Sequence, residues 1–338
     1  GTLAFYMGLH RLPLITAELV KQGLPAATPA AVVCRGTLPS QRVVTGPVET
    51  IAEQAAAARL RAPSLLIIGA GVEHREVLSW YEAKPLFGLR IGIPRPAGQA
   101  DTAIAEVLNR GGEPVLLPTM RISPVPDWTA VDAAIDRLAE FDWLIFTSVN
   151  GVKYFLDRLW ELGADPRRLG GLQLACIGTA TAARLEEYRL RADLVPQEFR
   201  AEGLAAELSP LVCGKRVLWV RANRGREVLP EVLSAAGASF EQLVVYHHTD
   251  LPVLDPHVLQ QLEAGELDWI CLSSPAIARN LAAQLSPAAR ERLGQTTLLA
   301  VISPVTQAAA EDCGLPVAVV AKEHTWSGML SAIEAFRR

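Results

Sequence analysis

From about residue 90 onward the chain repeats itself. Ile91 and Val217 stand 126 positions apart and align IGIPRPAG with VLWVRANR, which sets Arg95 over Arg221. Ser148 and Ser274 are again 126 apart and align IFTSVNGV with CLSSPAIA. Thr181 and Thr306, 125 apart, align CIGTATAARL with VISPVTQAAA, and Gly203 and Gly328, also 125 apart, align FRAEGLAAEL with HTWSGMLSAI. Four matches in one order at nearly one offset mean two copies of one unit. Two similar lobes leave a cleft between them, which is where ligands usually sit.

Within each copy, strand-like runs alternate with amphipathic helical patterns. Leu89–Pro94, Trp143–Thr147, Leu174–Gly178, Val217–Arg221, Trp269–Leu272 and Leu298–Ile302 read as strands. Thr129–Glu140 reads as a helix, with Val131, Ala134, Ile135 and Leu138 at i, i+3, i+4 and i+7. Asp101 is placed to cap a helix that Gly111 ends. Alternation at this pitch predicts an α/β fold of βαβ units with mostly parallel sheets. Residues 1–84 lie outside the repeat, and Lys84-Pro85-Leu86-Phe87-Gly88 is a tight linker and not a flexible tether.

The chemistry is in the turns. Thr147-Ser148 and Ser273-Ser274 run from a strand into a helix. Such hydroxyls are often only N-caps, but the free N–H groups of a helix start also bind anions. Gly178-Thr179-Ala180-Thr181 and Ser303-Pro304-Val305-Thr306 offer the same chemistry, so each copy carries two anion-ready turns. Arg95 and Arg221 follow the first strand of each copy, and Asn223, Arg224 and Arg226 come after Arg221 in RANRGREVLP. Arginines there are either solvated ends or forked donors to the carboxylates of a polyanionic ligand. Neither GxGxxG nor GxxxxGK[ST] occurs, and the histidines have no ligand spacing, so neither a nucleotide loop nor a metal site is expected. Tyr246 ends the apolar run Leu243-Val244-Val245; a strand tyrosine usually packs, yet its phenol can give a proton to a leaving hydroxyl.

Composition narrows the classes. The chain of 338 residues is 50% hydrophobic and 20% charged, which is globular. No run of 18 apolar residues exists, so a membrane span is not expected. A net charge of −4 disfavours a generic nucleic-acid binder. Cys34, Cys176, Cys213, Cys271 and Cys313 have no CxxC spacing and fit free thiols of a reducing, cytoplasmic compartment. Gly1 opens directly into Leu3-Ala4-Phe5-Tyr6-Met7 with no signal-peptide pattern, the expectation being a piece of a longer fusion protein.

Taken together, GIPRPAGQ, IFTSVNGV, CIGTATA, VLWVRANRGREVLP, VVYHHT, CLSSPAIA and GMLSAI resemble uroporphyrinogen-III synthase over residues 85–338. The resemblance implies two flavodoxin-like α/β lobes joined by a two-stranded ladder formed from Val115–Val125 and Phe240–Asp250. One lobe is then 85–122 with 251–338, and the other 123–250. It further implies a cofactor-free lyase that closes hydroxymethylbilane, a linear tetrapyrrole with eight carboxylates, with loss of water and inversion of ring D. Tyr246 matches the family's proposed acid, and Thr181 its threonine turn. Two positions depart from the pattern: Thr249 is three after Tyr246 instead of two, and Ser303 replaces a glycine.

Residues 1–84, through TLAFYMGL, AAVVCRGTLPSQRVV and LLIIGAGV, look like the C-terminal half of a uroporphyrinogen-III C-methyltransferase. Met7 and Gly36 match residues that hold S-adenosylmethionine in that family, the cofactor of the intact methylase only. Without the other half, this segment would expose apolar surface and favour self-association. Two rival readings are a methyltransferase completed by another chain and a non-enzymatic two-lobed sensor of a small molecule; turnover of hydroxymethylbilane separates all three.

Overall fold

Short apolar runs stopped by Gly, Ser, Thr or Arg become strands, and the amphipathic stretches between them become helices. The computed structural model describes residues 1–337, the side chain of Ala97 excepted. The chain divides into two compact units, residues 120–250 and the remainder.

The first unit begins with a four-stranded antiparallel sheet of β1 (Leu3–Tyr6), β2 (Pro29–Cys34), β3 (Arg42–Pro47) and β4 (Ser64–Ile68), in the order β1-β4-β2-β3. Helices Leu12–Lys21 and Ile51–Ala57 bury Leu12, Ile51 and Ala55 with Val32, Leu66 and Ile68 of the sheet. The linker after it is packed, not loose. Leu86 is fully buried in the next core, and its N–H donates to the Arg110 carbonyl.

A five-stranded parallel sheet completes this unit: β5 (Arg90–Ile93), β6 (Glu113–Leu116), and then, after the second unit has intervened, β12 (Trp269–Leu272), β13 (Leu298–Val301) and β14 (Val319–Val320). The spatial order is β6-β5-β12-β13-β14. Numbered within this sheet, that is 2-1-3-4-5, the flavodoxin-like winding.

The second unit holds β7 (Met120–Pro124), β8 (Trp143–Phe146), β9 (Gln173–Cys176), β10 (Arg216–Ala222) and β11 (Ser239–Asp250), in the order β7-β11-β10-β8-β9. Its three parallel pairings, β11-β10, β10-β8 and β8-β9, repeat those of β6-β5, β5-β12 and β12-β13 in register as well as in order. Ile91 faces Trp269, and Val217 faces Trp143; Ile91 faces Pro114, and Val217 faces Phe240. β7 pairs antiparallel with the end of β11, Tyr246 facing Pro124 and Asp250 facing Met120. This is the two-stranded ladder.

Three expectations change. Val115–Val125 is not one strand: β6 stops at Leu116 and β7 starts at Met120, because Pro118 between them has no N–H to continue a ladder. Asp101 is the first residue of the helix Asp101–Asn109, not its cap; Ala100 holds the cap position with no side-chain bond. The helix expected over Thr129–Glu140 ends at Asp136 and continues as a tighter turn over Leu138–Glu140.

The repeated glycines show why the motif is kept. A Cβ on Gly203 would collide with the Glu198 carbonyl, and one on Gly328 with the Glu323 carbonyl, the same neighbour in each copy. Gly203→Ala and Gly328→Ala are each expected to lower stability by about 1–3 kcal/mol through overpacking. Thermal unfolding checks this, and an unchanged Tm would show that the helix can back away.

Candidate active site

The four turns adopt one backbone geometry. Ser148, Gly178, Ser274 and Ser303 are helix N-caps with φ of −162°, −174°, −165° and −160°. All four sit at the carboxyl ends of parallel strands, next to β8, β9, β12 and β13, where ligands bind in doubly wound sheets. Ser148 Oγ accepts from the Gly151 N–H (2.9 Å), Ser274 Oγ from Ile277 (3.3 Å) and Ser303 Oγ from Thr306 (3.3 Å). That leaves the first N–H groups of each helix open to an anion.

The turns are not chemically equal, however. Pro275 and Pro304 occupy the first helical position in the first unit, where Val149 and Thr179 stand in the second. Each proline removes one N–H donor. Thr181 and Thr306 are buried, at 4% and 1% exposure, so their side chains line the interior and their turns offer main-chain donors instead. Thr179 is exposed, and Ser273 is half-buried. Thr147 Oγ1 accepts from the Trp219 indole N–H (2.9 Å).

Tyr246 is 4% exposed, and its ring stacks on Tyr154. Its hydroxyl donates to Ser148 Oγ at 2.9 Å. Burial pushes the phenol above its usual range, against the pull of the Ser148 and Asn150 hydrogen bonds. Ser148 Oγ therefore accepts from both Tyr246 and the Gly151 N–H. With both lone pairs used, the serine's own proton is left to donate outward. His248, two residues on and on the same face of β11, lies 5.3 Å from the Tyr246 ring and is held below the usual imidazole range by burial.

The arginines part company. Arg221 is 6% exposed and lies 4.2 Å over Trp219; it donates to Glu227 (2.6 Å), to Gln242 and to the Ala222 carbonyl (3.1 Å). It is an internal tie and not the open fork expected from its place at a strand end. Asn223 is likewise structural: its Oδ1 accepts from the His248 N–H (2.8 Å) and locks the end of β10 to β11. Arg224 and Arg226 pair with Asp250 and Glu202. Arg95 is half-buried over Trp326, with its guanidinium carbon 5.2 Å from the ring centre. Trp326 was not singled out from sequence, although it stands within the repeated HTWSGMLSAI segment.

The family model described as uroporphyrinogen-III synthase HemD matches residues 101–331. The chain belongs to the uroporphyrinogen-III synthase family. A uroporphyrinogen-III synthase of Synechococcus elongatus is 30% identical over 262 residues, covering 75% of this chain and 98% of that protein. A porphyrin biosynthesis protein HemD of Ruminiclostridium josui is 28% identical over 294 residues, and the chain spans only 58% of its length. The N-terminal region matches part of a siroheme synthase of Thiobacillus denitrificans, 45% identical over 102 residues but only 19% of that protein. A mutant uroporphyrinogen III synthase of Thermus thermophilus shares the fold, with a TM-score of 0.51 at 20% identity over 74% of this chain and all of that one. No helix of the synthase-family chain is long and apolar enough to cross a membrane among the described residues.

Met7 and Gly36 follow β1 and β2, which run parallel on either side of β4, so both reach the same end of the sheet. Met7 is 91% exposed, and Gly36 is exposed. The nearby cavity of about 260 Å³, lined by Val33, Thr37, Gln41 and Trp80 among others, includes neither residue. These residues do not by themselves enclose a nucleoside cofactor, whose sites usually run to roughly 300–1,000 Å³.

Proposed function

We propose that the chain closes hydroxymethylbilane into uroporphyrinogen III as a lyase, losing the substrate hydroxyl as water and inverting ring D, with its own side chains and no cofactor. The observation that carries this reading is the set of capped strand-end turns in repeat register, two per copy, on a chain of the synthase family. Main-chain N–H groups there bind substrate carboxylates without an ion pair for each. Tyr246 hands a proton to Ser148 Oγ, and Ser148 gives its own to the departing hydroxyl. The deciding experiment incubates purified chain with hydroxymethylbilane. Type III product in excess of the spontaneous type I isomer supports the reading, and type I alone at the spontaneous rate overturns it.

Residues 1–84 are proposed to be part of a methylase that has no transferase activity in this chain. Isothermal calorimetry is expected to show no S-adenosylmethionine binding at micromolar concentration, because Met7 and Gly36 hold too little of its surface. Measurable binding would mean that the half-site is completed, for instance by a second copy. Tyr6, Met7, Val77, Leu78 and Trp80 are all more than half exposed, so sedimentation should show concentration-dependent association that deletion of residues 1–84 abolishes.

A further inference from the structure

The internal duplication provides its own control. In both copies an arginine at or just past the carboxyl end of the first strand lies over a tryptophan, but the tryptophans are not equivalent. Arg221 rests on Trp219 of its own strand, whereas Arg95 rests on Trp326, whose counterpart in the other copy is Ala201. The aromatic platform is thus supplied from two different places for one cation.

The charges differ too. Arg221 carries the Glu227 carboxylate at 2.6 Å and the Gln242 amide. At the positions equivalent to Glu227 and Gln242 stand Asp101, exposed on the first turn of its helix, and Leu116, which has no acceptor. Among the described residues no carboxylate lies within ion-pair distance of Arg95, and no hydrogen bond reaches it from another side chain. Burial lowers its affinity for the proton, and the charge of Glu106, beyond ion-pair distance, offsets this only in part. Beneath Arg95, Trp326 is 7% exposed, and its indole N–H is buried without an acceptor among the described residues. Buried donors are nearly always answered, so the unanswered indole N–H beneath a half-buried guanidinium with no ion-pair partner calls for an acceptor from outside the chain.

We propose that Arg95 on Trp326 is a preformed carboxylate subsite, the open counterpart of the pair that Glu227 closes on Arg221. Resting on the synthase reading, its ligand is one acetate or propionate side chain of the tetrapyrrole. The subsite also compensates for a local deficit. The two turns beside it lose an N–H each to Pro275 and Pro304, so the first unit holds its share of carboxylates with fewer main-chain donors and one charged fork.

Uroporphyrin III, an octacarboxylate that does not turn over, is the probe. Arg95→Met is expected to raise its Kd by about tenfold or more, the worth of one charge-assisted hydrogen-bond pair. Arg95→Lys, which keeps the charge and loses the fork, should recover part of that loss. Trp326→Phe keeps the platform and loses the N–H; it is expected to raise KM for hydroxymethylbilane about threefold with kcat unchanged. Arg221→Met should leave the Kd as it is and lower Tm, since its partners are internal. A Kd for Arg95→Met equal to wild type, with Tm preserved, overturns the subsite. A wild-type chain that makes no type III isomer overturns the synthase reading instead, and the porphyrin Kd still decides the subsite.

Discussion

Tyr246→Phe is expected to lower kcat by at least about tenfold while Tm falls only slightly. The ring stays stacked on Tyr154, so packing survives; what disappears is the hydroxyl that donates to Ser148 Oγ at 2.9 Å. That loss costs about 1 kcal/mol of stability if the hydrogen bond is all that matters. A proton donor contributes far more, roughly 10²–10⁴-fold in rate. Ser148→Ala should reduce kcat by the same route, and the double variant should be little worse than the worse single one, because the two groups act in series. The pH dependence follows from burial. With the phenol held above 10, Tyr246 keeps its proton throughout the neutral range, so it adds no alkaline limb to the rate below that pH. Its contribution to stability is complete below pH 10 and is lost as pH rises through the raised value. A Phe variant with full kcat would remove Tyr246 from the mechanism and leave positioning of the bilane to supply the rate.

Ser274→Asp is expected to cost about a hundredfold or more in kcat/KM, and Ser274→Ala only a few-fold. The comparison works because aspartate is as good an N-cap as serine. The Asp variant can still accept from the Ile277 N–H that Ser274 holds at 3.3 Å, so the helix Pro275–Gln284 should keep its start. The alanine variant loses that cap, at about 1 kcal/mol. Stability and activity are therefore predicted to move in opposite order: alanine melts lower, and aspartate works worse. A carboxylate placed about 4 Å from a substrate carboxylate is repelled by on the order of 4 kcal/mol at an effective dielectric constant of about 20. Equal cyclisation rates in the two variants would mean that this turn does not face the substrate.

The repeat was legible because it is a matter of spacing. Trp269–Leu272, four apolar residues before two serines, is a strand with the bounds read from sequence. The pairing of Ile91 with Trp269 and of Val217 with Trp143 follows the same offset. Local chemistry was less secure. Asp101 has the right side chain for a cap, yet the backbone turns helical one residue earlier at Ala100. The run through Leu117-Pro118-Thr119 has strand-forming neighbours on both sides, and a single missing N–H divides it between two sheets. Partner choice was beyond reach. Arg95 and Arg221 look alike in a strand-end motif, and only the fold brings Gln242 to one and Trp326 to the other, 21 and 231 positions away in the chain. The serine and glycine turns do start helices, but the consequence of Pro275 and Pro304 needed the cap positions to be known.

The interrupted five-stranded sheet also sets an order of assembly. Its central pairing joins Ile91 to Trp269, so the partner of β5 on that side emerges from the ribosome only after the whole of residues 120–250. The inserted unit is continuous in sequence and has every strand it needs by Asp250. It can therefore reach its native state during synthesis while β5 still presents a bare edge of Arg90–Ile93 to solvent or a chaperone. Closing the sheet then brings together ends already drawn in by a folded insert, a smaller entropic loss than closing a free loop of the same length. A nascent chain stalled before Trp269 should accordingly resist protease over residues 120–250 and be cut readily around β5 and β6, and it is in this interval that the polypeptide is most exposed to aggregation.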